Sequence, residues 1–176
     1  SLEKAYYYDN MAFMHGGLAD WFVSITPQSM NNANGMKTAS AVRTSDGYFM
    51  LKVFCYDPKG NLTEVRSMGP NGDRTTTAYT YSLTGQMLSA ETEAEVMYGE
   101  NFRVKEENTF SARNDMISGK AVTVQHGKGI TSPVEIGYEY DAINRLARVK
   151  RCEQVGDVPY GYDVHGWPTS IETASF

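Results

Sequence analysis

Polar and apolar residues alternate along much of the chain, and this pattern predicts β-strands. The strictest example runs from Val134 to Tyr140, where Glu135, Gly137 and Glu139 separate the apolar residues. Successive side chains of a strand point to opposite faces, so this segment is expected to bury one face and expose the other. The chain is therefore predicted to be all-β, built from successive antiparallel β-hairpins stacked as a repeat strip, with room for one short helix.

The same alternation predicts a hairpin in the first half of the chain. Residues 38–43 and 48–56 form its strands, and Ser45, Asp46 and Gly47 form its turn. Another strand is predicted at 75–81, with positions 75, 77, 79 and 81 on one face. Residues 18–25 fit either a short helix or a buried strand. The acidic residues 90–107 suit a strand with one wet face, with a short helix as the alternative.

One short phrase recurs along these strands, and we call each copy a box. It consists of two aromatic residues two positions apart, then Asp, two variable positions, Gly, a polar residue and an aliphatic residue. The clearest copy runs from Phe54 to Leu62. Hairpin boxes are predicted near residues 6–13, 54–65, 79–88, 108–117, 138–149 and 160–171.

Each box has the residue types of a hairpin turn. The two aromatic residues share one face of a strand. The Asp starts the turn by accepting a hydrogen bond from the backbone two residues later, and Pro58 presets the angle of a type I turn. The Gly suits a left-handed position, where a side chain costs about 1–2 kcal/mol. The structural signature comprises Tyr6, Tyr8, Asp9, Phe54, Tyr56, Asp57, Gly60, Leu62, Tyr79, Tyr81, Gly85, Tyr138, Tyr140, Asp141, Asn144, Arg145, Leu146, Tyr160, Tyr162, Asp163 and Gly166.

Some boxes depart from this pattern. Asn144 and Asn114 occupy the Gly position, and Asn tolerates the left-handed conformation better than most residues. Ala12 does not, so the first hairpin is expected to use a different turn. Later boxes recur roughly every 20 to 30 residues, and the longer first gap is expected to hold two units. Stacked hairpins are expected to bury one another's Tyr faces, so that each unit depends on its neighbours.

The phrase Tyr-x-Tyr-Asp-x-x-Gly-Arg-Leu resembles the signature of the RHS, or YD, repeat family, and Tyr138 to Leu146 matches it apart from Asn144. The resemblance implies hairpin strips that coil into large shells. Bacterial shells of this family typically encase a C-terminal toxin, and related animal proteins serve in adhesion. It implies that residues 1–176 are a single repeat-array segment of a larger exported or cell-surface protein. Asp57-Pro58-Lys59-Gly60 is superficially similar to the self-cleavage motif of the family, but we interpret it as a turn.

Composition and charge narrow the possible functions. Hydrophobic residues make up 41% of the chain and charged residues 21%, which is ordinary for a folded protein. The net charge of −5 gives no electrostatic support for binding nucleic acid. No apolar run approaches the roughly 18 residues that span a membrane. The basic residues Arg145, Arg148, Lys150 and Arg151 are interpreted as partners for acidic neighbours.

Few other residues suggest chemistry. The residues His15, His126 and His165 are scattered, without a partner at ligand or triad spacing. Acidic residues Glu91, Glu93 and Glu95 could supply paired carboxylates for sugar hydrolysis, but their spacing suits a solvated strand edge. Exposed aromatic residues, among them Trp21 and Trp167, are candidate ligand platforms.

The two cysteines, Cys55 and Cys152, lack the spacing of a zinc site. They are interpreted as free thiols, with a disulfide as the alternative. We expect no catalytic residue, no cofactor and no metal site. The leading hypothesis is a non-catalytic structural repeat scaffold whose partners are flanking repeats of the same chain, with carbohydrate or an enclosed C-terminal domain as further partners. The alternatives are a carbohydrate-binding or adhesion module and a glycoside-processing enzyme.

Overall fold

The computed structural model describes residues 3–27, 34–151 and 156–171. It confirms an all-β fold of successive antiparallel hairpins with a short helical segment. The helical segment contains a 3-10 helix, Ala12–His15, and α1, Ala19–Val23. The strands are β1 (Lys4–Tyr8), β2 (Lys37–Arg43), β3 (Phe49–Tyr56), β4 (Leu62–Met68), β5 (Arg74–Tyr81), β6 (Met87–Glu95), β7 (Phe102–Phe110), β8 (Ile117–His126), β9 (Gly129–Ile130), β10 (Val134–Tyr140), β11 (Leu146–Lys150), β12 (Val158–Tyr162) and β13 (Pro168–Ile171).

The strands hydrogen-bond to one another in chain order, except that β9 lies beside β8 alone. By its internal contacts the chain divides into two compact units. The first unit contains residues 1–105 and 125–129, and the second contains residues 106–124 and 130–176. The hairpin pattern is present in each unit.

The strands expected from alternation lie close to their predicted positions. The hairpin of β2 and β3 turns at Gly47, whose φ is 88° and whose N–H donates to Thr44 O at 3.0 Å. The strand predicted at 134–140 is β10, and that predicted at 75–81 lies within β5. The acidic segment forms most of β6 and most of β7 with the turn between them, so the strand alternative is correct there.

The buried core of the first unit lies under the helical segment. Residues 18–25 form a helix and not a strand, and Phe13 and Phe22 are fully buried against the sheet. Ala39 and Ala41 of β2 have small side chains, so the phenyl rings can approach this strand closely. The core comprises Phe13, Leu18, Phe22, Ile25, Ala39, Ala41, Leu51, Val53 and Met68.

The aromatic residue of β1 that joins this core is Tyr7. Its ring packs edge-on against Phe13 and Phe22, with centroids 5.7 and 5.9 Å away. The predicted signature residues Tyr6 and Tyr8 lie on the opposite face and are 52% and 53% exposed. The expectation that box aromatics are buried is therefore wrong for the first box, where the inserted helical segment supplies the core on the other face, whereas Phe54, Tyr56, Tyr79 and Tyr81 of the next two boxes are half-buried.

Within the described ranges, no helix is long and apolar enough to cross a membrane.

Candidate functional site

The box around Asp57 is a closed hairpin turn. Gly60 N–H donates to Asp57 O at 3.0 Å, and Asp57 N–H donates to Asn61 O at 2.9 Å. Asp57 Oδ1 accepts the N–H groups of Lys59 and Asn61, each at 2.8 Å, and Oδ2 accepts the side-chain amide of Asn61 at 2.8 Å. The carboxylate is therefore fully occupied by its own turn, as expected for turn chemistry.

Other boxes repeat this arrangement. Asp141 Oδ1 accepts the N–H groups of Ile143 and Arg145 at 3.0 and 2.9 Å. Asp163 Oδ1 accepts the N–H groups of His165 and Trp167, both at 2.9 Å. Ser82 replaces Asp in the third box, and its Oγ accepts Gln86 N–H at 3.1 Å. The same backbone pattern recurs at these four turns, so the box defines a turn type and not a reactive carboxylate.

The left-handed positions carry the expected residues in most boxes. Gly60, Gly85 and Gly166 each have a φ of 86°, and Asn144 has a φ of 64°. The expectation for Asn114 is wrong, because Asp115 is the residue with positive φ, at 55°. This turn is one residue longer than the others, with Asp115 N–H donating to Ser111 O at 3.0 Å.

The first box is a turn interrupted by an insertion. Asp9 N–H donates to Met36 O at 3.0 Å, as Asp57 N–H does to Asn61 O. Gly35, with a φ of 74°, takes the position expected near Ala12, and its N–H donates to Asp9 Oδ1. The helical segment with Phe13 and Phe22 therefore lies between the two halves of one turn. The first gap contains one box with an insertion, and not the two units expected, since the described residues between β1 and β2 add no strand.

A β-bulge marks the second aromatic residue of the boxes. The register of strand pairing shifts immediately before the second aromatic residue of five boxes, at Tyr8, Tyr56, Tyr81, Tyr140 and Tyr162. A bulge sharpens the twist and re-aims the side chain. The first box keeps its bulge despite the insertion, which identifies β1 as a box strand.

The second aromatic of four boxes ties its strand to the strand before it. Each Tyr hydroxyl donates to the backbone carbonyl of the first residue of the strand that precedes its own in the sheet order. We call these hydrogen bonds the Tyr latches. Among described residues, the hydroxyls of the first aromatics Tyr79, Tyr138 and Tyr160 make no such bond. The latches are Tyr56 to Lys37 O (2.9 Å), Tyr81 to Leu62 O (2.8 Å), Tyr140 to Ile117 O (2.8 Å) and Tyr162 to Leu146 O (2.9 Å).

The Tyr latches were not predicted from the sequence. Each aromatic position of the boxes contains one Phe, Phe54 at the first position and Phe110 at the second. Residue type alone therefore does not distinguish a position that needs a hydroxyl from one that needs only an apolar ring.

Side chains also connect successive turns. Arg145 pairs with Asp141 of its own box, with Nε 2.7 Å from Oδ2. Its guanidinium lies 4.6 Å from the ring centroid of Tyr162, and Nη1 donates to Asp163 O at 3.4 Å. In the first unit Lys59 Nζ donates to Leu83 O of the next box at 3.4 Å. The Arg of the family-like phrase is thus a connector between two boxes of the second unit.

The turn carboxylates are held in their charged form. The side-chain amide of Asn61, followed by backbone N–H groups, lowers the pKa of Asp57 below its ordinary value. The backbone N–H of Arg145, followed by its guanidinium, lowers the pKa of Asp141 in the same way. Hydrogen bonds to a carboxylate favour its ionised form. These carboxylates are poor general acids or bases at neutral pH.

Two acidic residues of β6 share one arginine of β7. Arg103 Nη1 lies 3.3 Å from Glu91 Oε1, and Nη2 contacts Glu93. A 610 Å³ open depression beside this strand contains Glu93, Glu95 and Glu100. The exposed carboxylates suit a solvated strand face.

The basic residues of β11 have acidic partners, as expected. Lys150 Nζ lies 2.5 Å from Glu139 Oε1, and Arg148 lies within 3.9 Å of both Glu139 and Asp157. The side-chain hydrogen bond from Lys150 lowers the pKa of Glu139. This cluster is a set of cross-strand ion pairs.

The remaining candidates lie apart from one another. Trp21 and Trp167 are 45% and 71% exposed. His126 Nδ1 lies 3.2 Å from a carboxylate oxygen of Glu100. Burial, and then the charge of Glu64, raises the pKa of Cys55 to about 11, so this thiol is protonated at neutral pH and unreactive. The alternative of a disulfide between Cys55 and Cys152 involves a residue outside the described ranges.

Comparison of the chain with known protein families and with curated proteins finds no match.

Proposed function

We propose that the chain is a non-catalytic structural repeat scaffold, a wall segment of a large exported or cell-surface protein of the RHS type. The observation that carries the proposal is the set of four Tyr latches, which join a box to the box before it in every case except that of the box with Phe110. The polar side chains of a box form hydrogen bonds within its own turn or with the next box. Such groups hold the backbone in place, as a scaffold requires.

The partners proposed for this scaffold are flanking repeats of the same chain. The strand at either side, β1 or β13, has one neighbour within the described residues. An open strand edge presents backbone N–H and C=O groups that another strand can pair with. In the longer protein these edges would be covered by the repeats that precede and follow, around an enclosed domain or other cargo.

Hydrogen exchange tests this proposal. The amides of β1 and β13 are compared between this chain alone, at low concentration, and the longer protein that includes its flanking sequence. We expect the outer amides of both strands to exchange fast in the chain alone and slowly in the longer protein, because strand pairing protects amides from exchange. Equally fast exchange in both proteins would contradict a continuous wall.

A second candidate function is carbohydrate binding or adhesion, and the exposed ring of Trp167 favours it. Aromatic faces with a polar edge are suited to ligands that have both apolar and polar groups. A glycan panel tests this function, with Trp167→Ala as the variant and Trp21→Ala as the matched control. Binding that Trp167→Ala abolishes and Trp21→Ala retains would favour the module; the scaffold proposal predicts no binding by any of the three proteins.

A further inference from the structure

Strands β1–β6 present two faces with different side chains. The helical segment packs on one face, over Leu51 and Val53. Tyr6 and Phe54 lie on the other face, because successive residues of a strand point to opposite sides of the sheet. A row of directly opposite residues crosses this second face from Tyr6 through Ser40 to Lys52. We call it the aromatic face.

The carboxylates of β1–β6 all lie on the face of the helical segment. Directly opposite residues share a face, so the rows that contain Leu51, Val53 and Cys55 can be followed strand by strand to β6. The four carboxylates in these rows are Glu64, Glu91, Glu93 and Glu95. The aromatic face of these six strands therefore contains no acidic residue.

Three lysines give the aromatic face a positive charge. Lys4 and Lys52 each lie two positions before the first aromatic of a box, which is Tyr6 in one case and Phe54 in the other. Lys37 Nζ lies 5.7 Å from the ring centroid of Tyr6 and 4.5 Å from that of Phe54. Within the described residues these ammonium groups form no ion pair, whereas three of the four carboxylates on the other face are paired with arginine.

Strand β2 forms a low floor beside these rings. Ser40 and Thr38 are 6% and 1% exposed, whereas Tyr6 on the neighbouring strand is half exposed. The hydroxyl of Thr38 is buried and has no hydrogen-bond partner in the part of the chain that the structure describes. A buried hydroxyl without a partner is unfavourable, so a ligand that brings an acceptor to this floor would gain from it.

We propose that the aromatic face binds an acidic peptide segment of another protein. Carboxylates of the peptide pair with Lys4, Lys37 and Lys52, and its apolar side chains pack on the rings of Tyr6 and Phe54. Charge complementarity determines the class of partner, because the face presents cations and aromatic rings without an acid to repel an anionic ligand.

A single-stranded nucleic acid also combines negative charge with groups that stack on aromatic rings. Its affinity grows with the number of phosphates that the protein neutralises. Three lysines on a chain with a net charge of −5 neutralise few phosphates and favour a ligand with fewer charges. The acidic peptide is therefore the better match.

Peptide binding is separate from the proposed scaffold function. A flanking repeat that pairs with β1 lies in the plane of the sheet, so it leaves the aromatic face accessible. A wall segment could lack peptide binding, and a peptide-binding sheet could lack flanking repeats. Hydrogen exchange at β1 and β13 therefore tests one proposal, and peptide titration tests the other.

Fluorescence anisotropy with labelled peptides tests the binding. The probe has about twelve residues that alternate Glu with Pro, and the two matched peptides replace every Glu by Gln or by Lys. Proline has no N–H to donate to a strand edge, so edge pairing does not account for binding.

We expect the Glu peptide to bind about ten-fold more tightly than the Gln peptide at low ionic strength, where charges are screened least, and we expect no binding of the Lys peptide. Equal affinities for the Glu and Gln peptides would overturn the proposal.

Removal of one ammonium group locates the binding. Lys52→Gln is expected to weaken binding of the Glu peptide by about two-fold to five-fold, the effect of losing one exposed ion pair. Lys128→Gln removes the same charge from an exposed turn after β8 and is expected to leave binding unchanged. Equal effects of the two substitutions would mean that the peptide responds to the net charge of the chain, which contradicts a site on the aromatic face.

An oligothymidylate of about twelve nucleotides tests the other class of ligand under the same conditions. We expect it to bind more weakly than the Glu peptide, because the net charge of the chain is negative. Tighter binding of the oligonucleotide would assign the aromatic face to nucleic acid and overturn the peptide proposal.

Discussion

In the boxes of Asp57, Asp141 and Asp163, two polar side chains are fixed by hydrogen bonds to the backbone. The Asp carboxylate accepts N–H groups of its own turn, and the Tyr hydroxyl donates to a carbonyl of the preceding strand. For Asp57 and Tyr56 these contacts are 2.8 to 2.9 Å long. The Asp bonds close the hairpin turn, and the Tyr bond attaches the hairpin to the strand before it. The Asp and the Tyr therefore specify both local and longer-range structure.

The left-handed conformation of Gly85 gives a prediction about a single residue. Gly85→Val is expected to destabilise the protein by about 1–2 kcal/mol, because a side chain is strained at a φ of 86°. A Cβ at this position would meet no atom within 4 Å, so the cost is conformational and not steric. Gln86→Val, at the next position, is expected to cost less. Denaturant titration of the two variants checks this, and equal losses would argue against the turn assignment.

The turn carboxylate predicts a dependence on pH. The pKa of Asp57 is lower in the folded chain than its ordinary value of 3.8, so its contribution to stability is present above that value and is lost as the pH falls through the folded pKa. Asp57→Asn is therefore expected to reduce stability near neutral pH and to have less effect in acid.

The measurement is the free energy of unfolding of both proteins between about pH 2.5 and 6, where the group titrates. Asp46→Asn serves as control, since Asp46 is an exposed residue of another turn. A stability difference between the native protein and Asp57→Asn that stays constant across this range would count against a charged turn carboxylate.

Sequence reasoning succeeded with the residues whose chemistry is local. Gly60, Gly85 and Asn144 were recognised because a turn needs a left-handed residue within a few positions of its Asp. The latches were missed because Tyr81 and Leu62 are 19 residues apart, at the far ends of two paired strands, and no local pattern records a bond between them. Asp115 was missed because one extra residue moves the left-handed position along the turn.

At the scale of the element, the helical segment behaves as an insertion into a hairpin turn. It interrupts the box between Asp9 and Gly35 and then packs back onto the face of β2 and β3 opposite the box aromatics. Alternation predicted the strands well, because a two-residue period is visible over seven or eight residues. It could not identify a five-residue helix, and no short window contains both halves of the interrupted turn.

The insertion is predicted to stabilise the first unit through its buried rings. Phe22→Ala is expected to cost about 3–5 kcal/mol, since the side chain is fully buried among Phe13, Tyr7 and the sheet. Trp21→Ala, at the neighbouring and partly exposed position, is expected to cost less than about 1 kcal/mol. Thermal unfolding of the two variants measures this difference. Similar losses would mean that the helical segment packs elsewhere.

At the scale of the whole chain, two units share one construction. Each contains box turns closed by a short side chain, and each contains two of the four Tyr latches. Stability in a repeat array comes largely from the contacts between neighbouring repeats, here successive boxes within one unit. The latches are such contacts, and the proposed scaffold function depends on them.

Two matched sets of substitutions test this account most directly. One protein carries Tyr→Phe at the four latch positions, and the other carries Tyr→Phe at four first aromatics, so each loses four hydroxyls and keeps every ring. The free energy of unfolding is measured by urea titration and summed over all transitions. The latch set is Tyr56, Tyr81, Tyr140 and Tyr162, and the control set is Tyr6, Tyr79, Tyr138 and Tyr160.

We expect the latch set to lose about 4 kcal/mol, from about 1 kcal/mol for each hydrogen bond and near-additivity between distant sites. The control set is expected to lose little. If the two proteins unfold with the same free energy, the Tyr hydroxyls do not join the boxes, and the account of the chain as a latched scaffold is wrong.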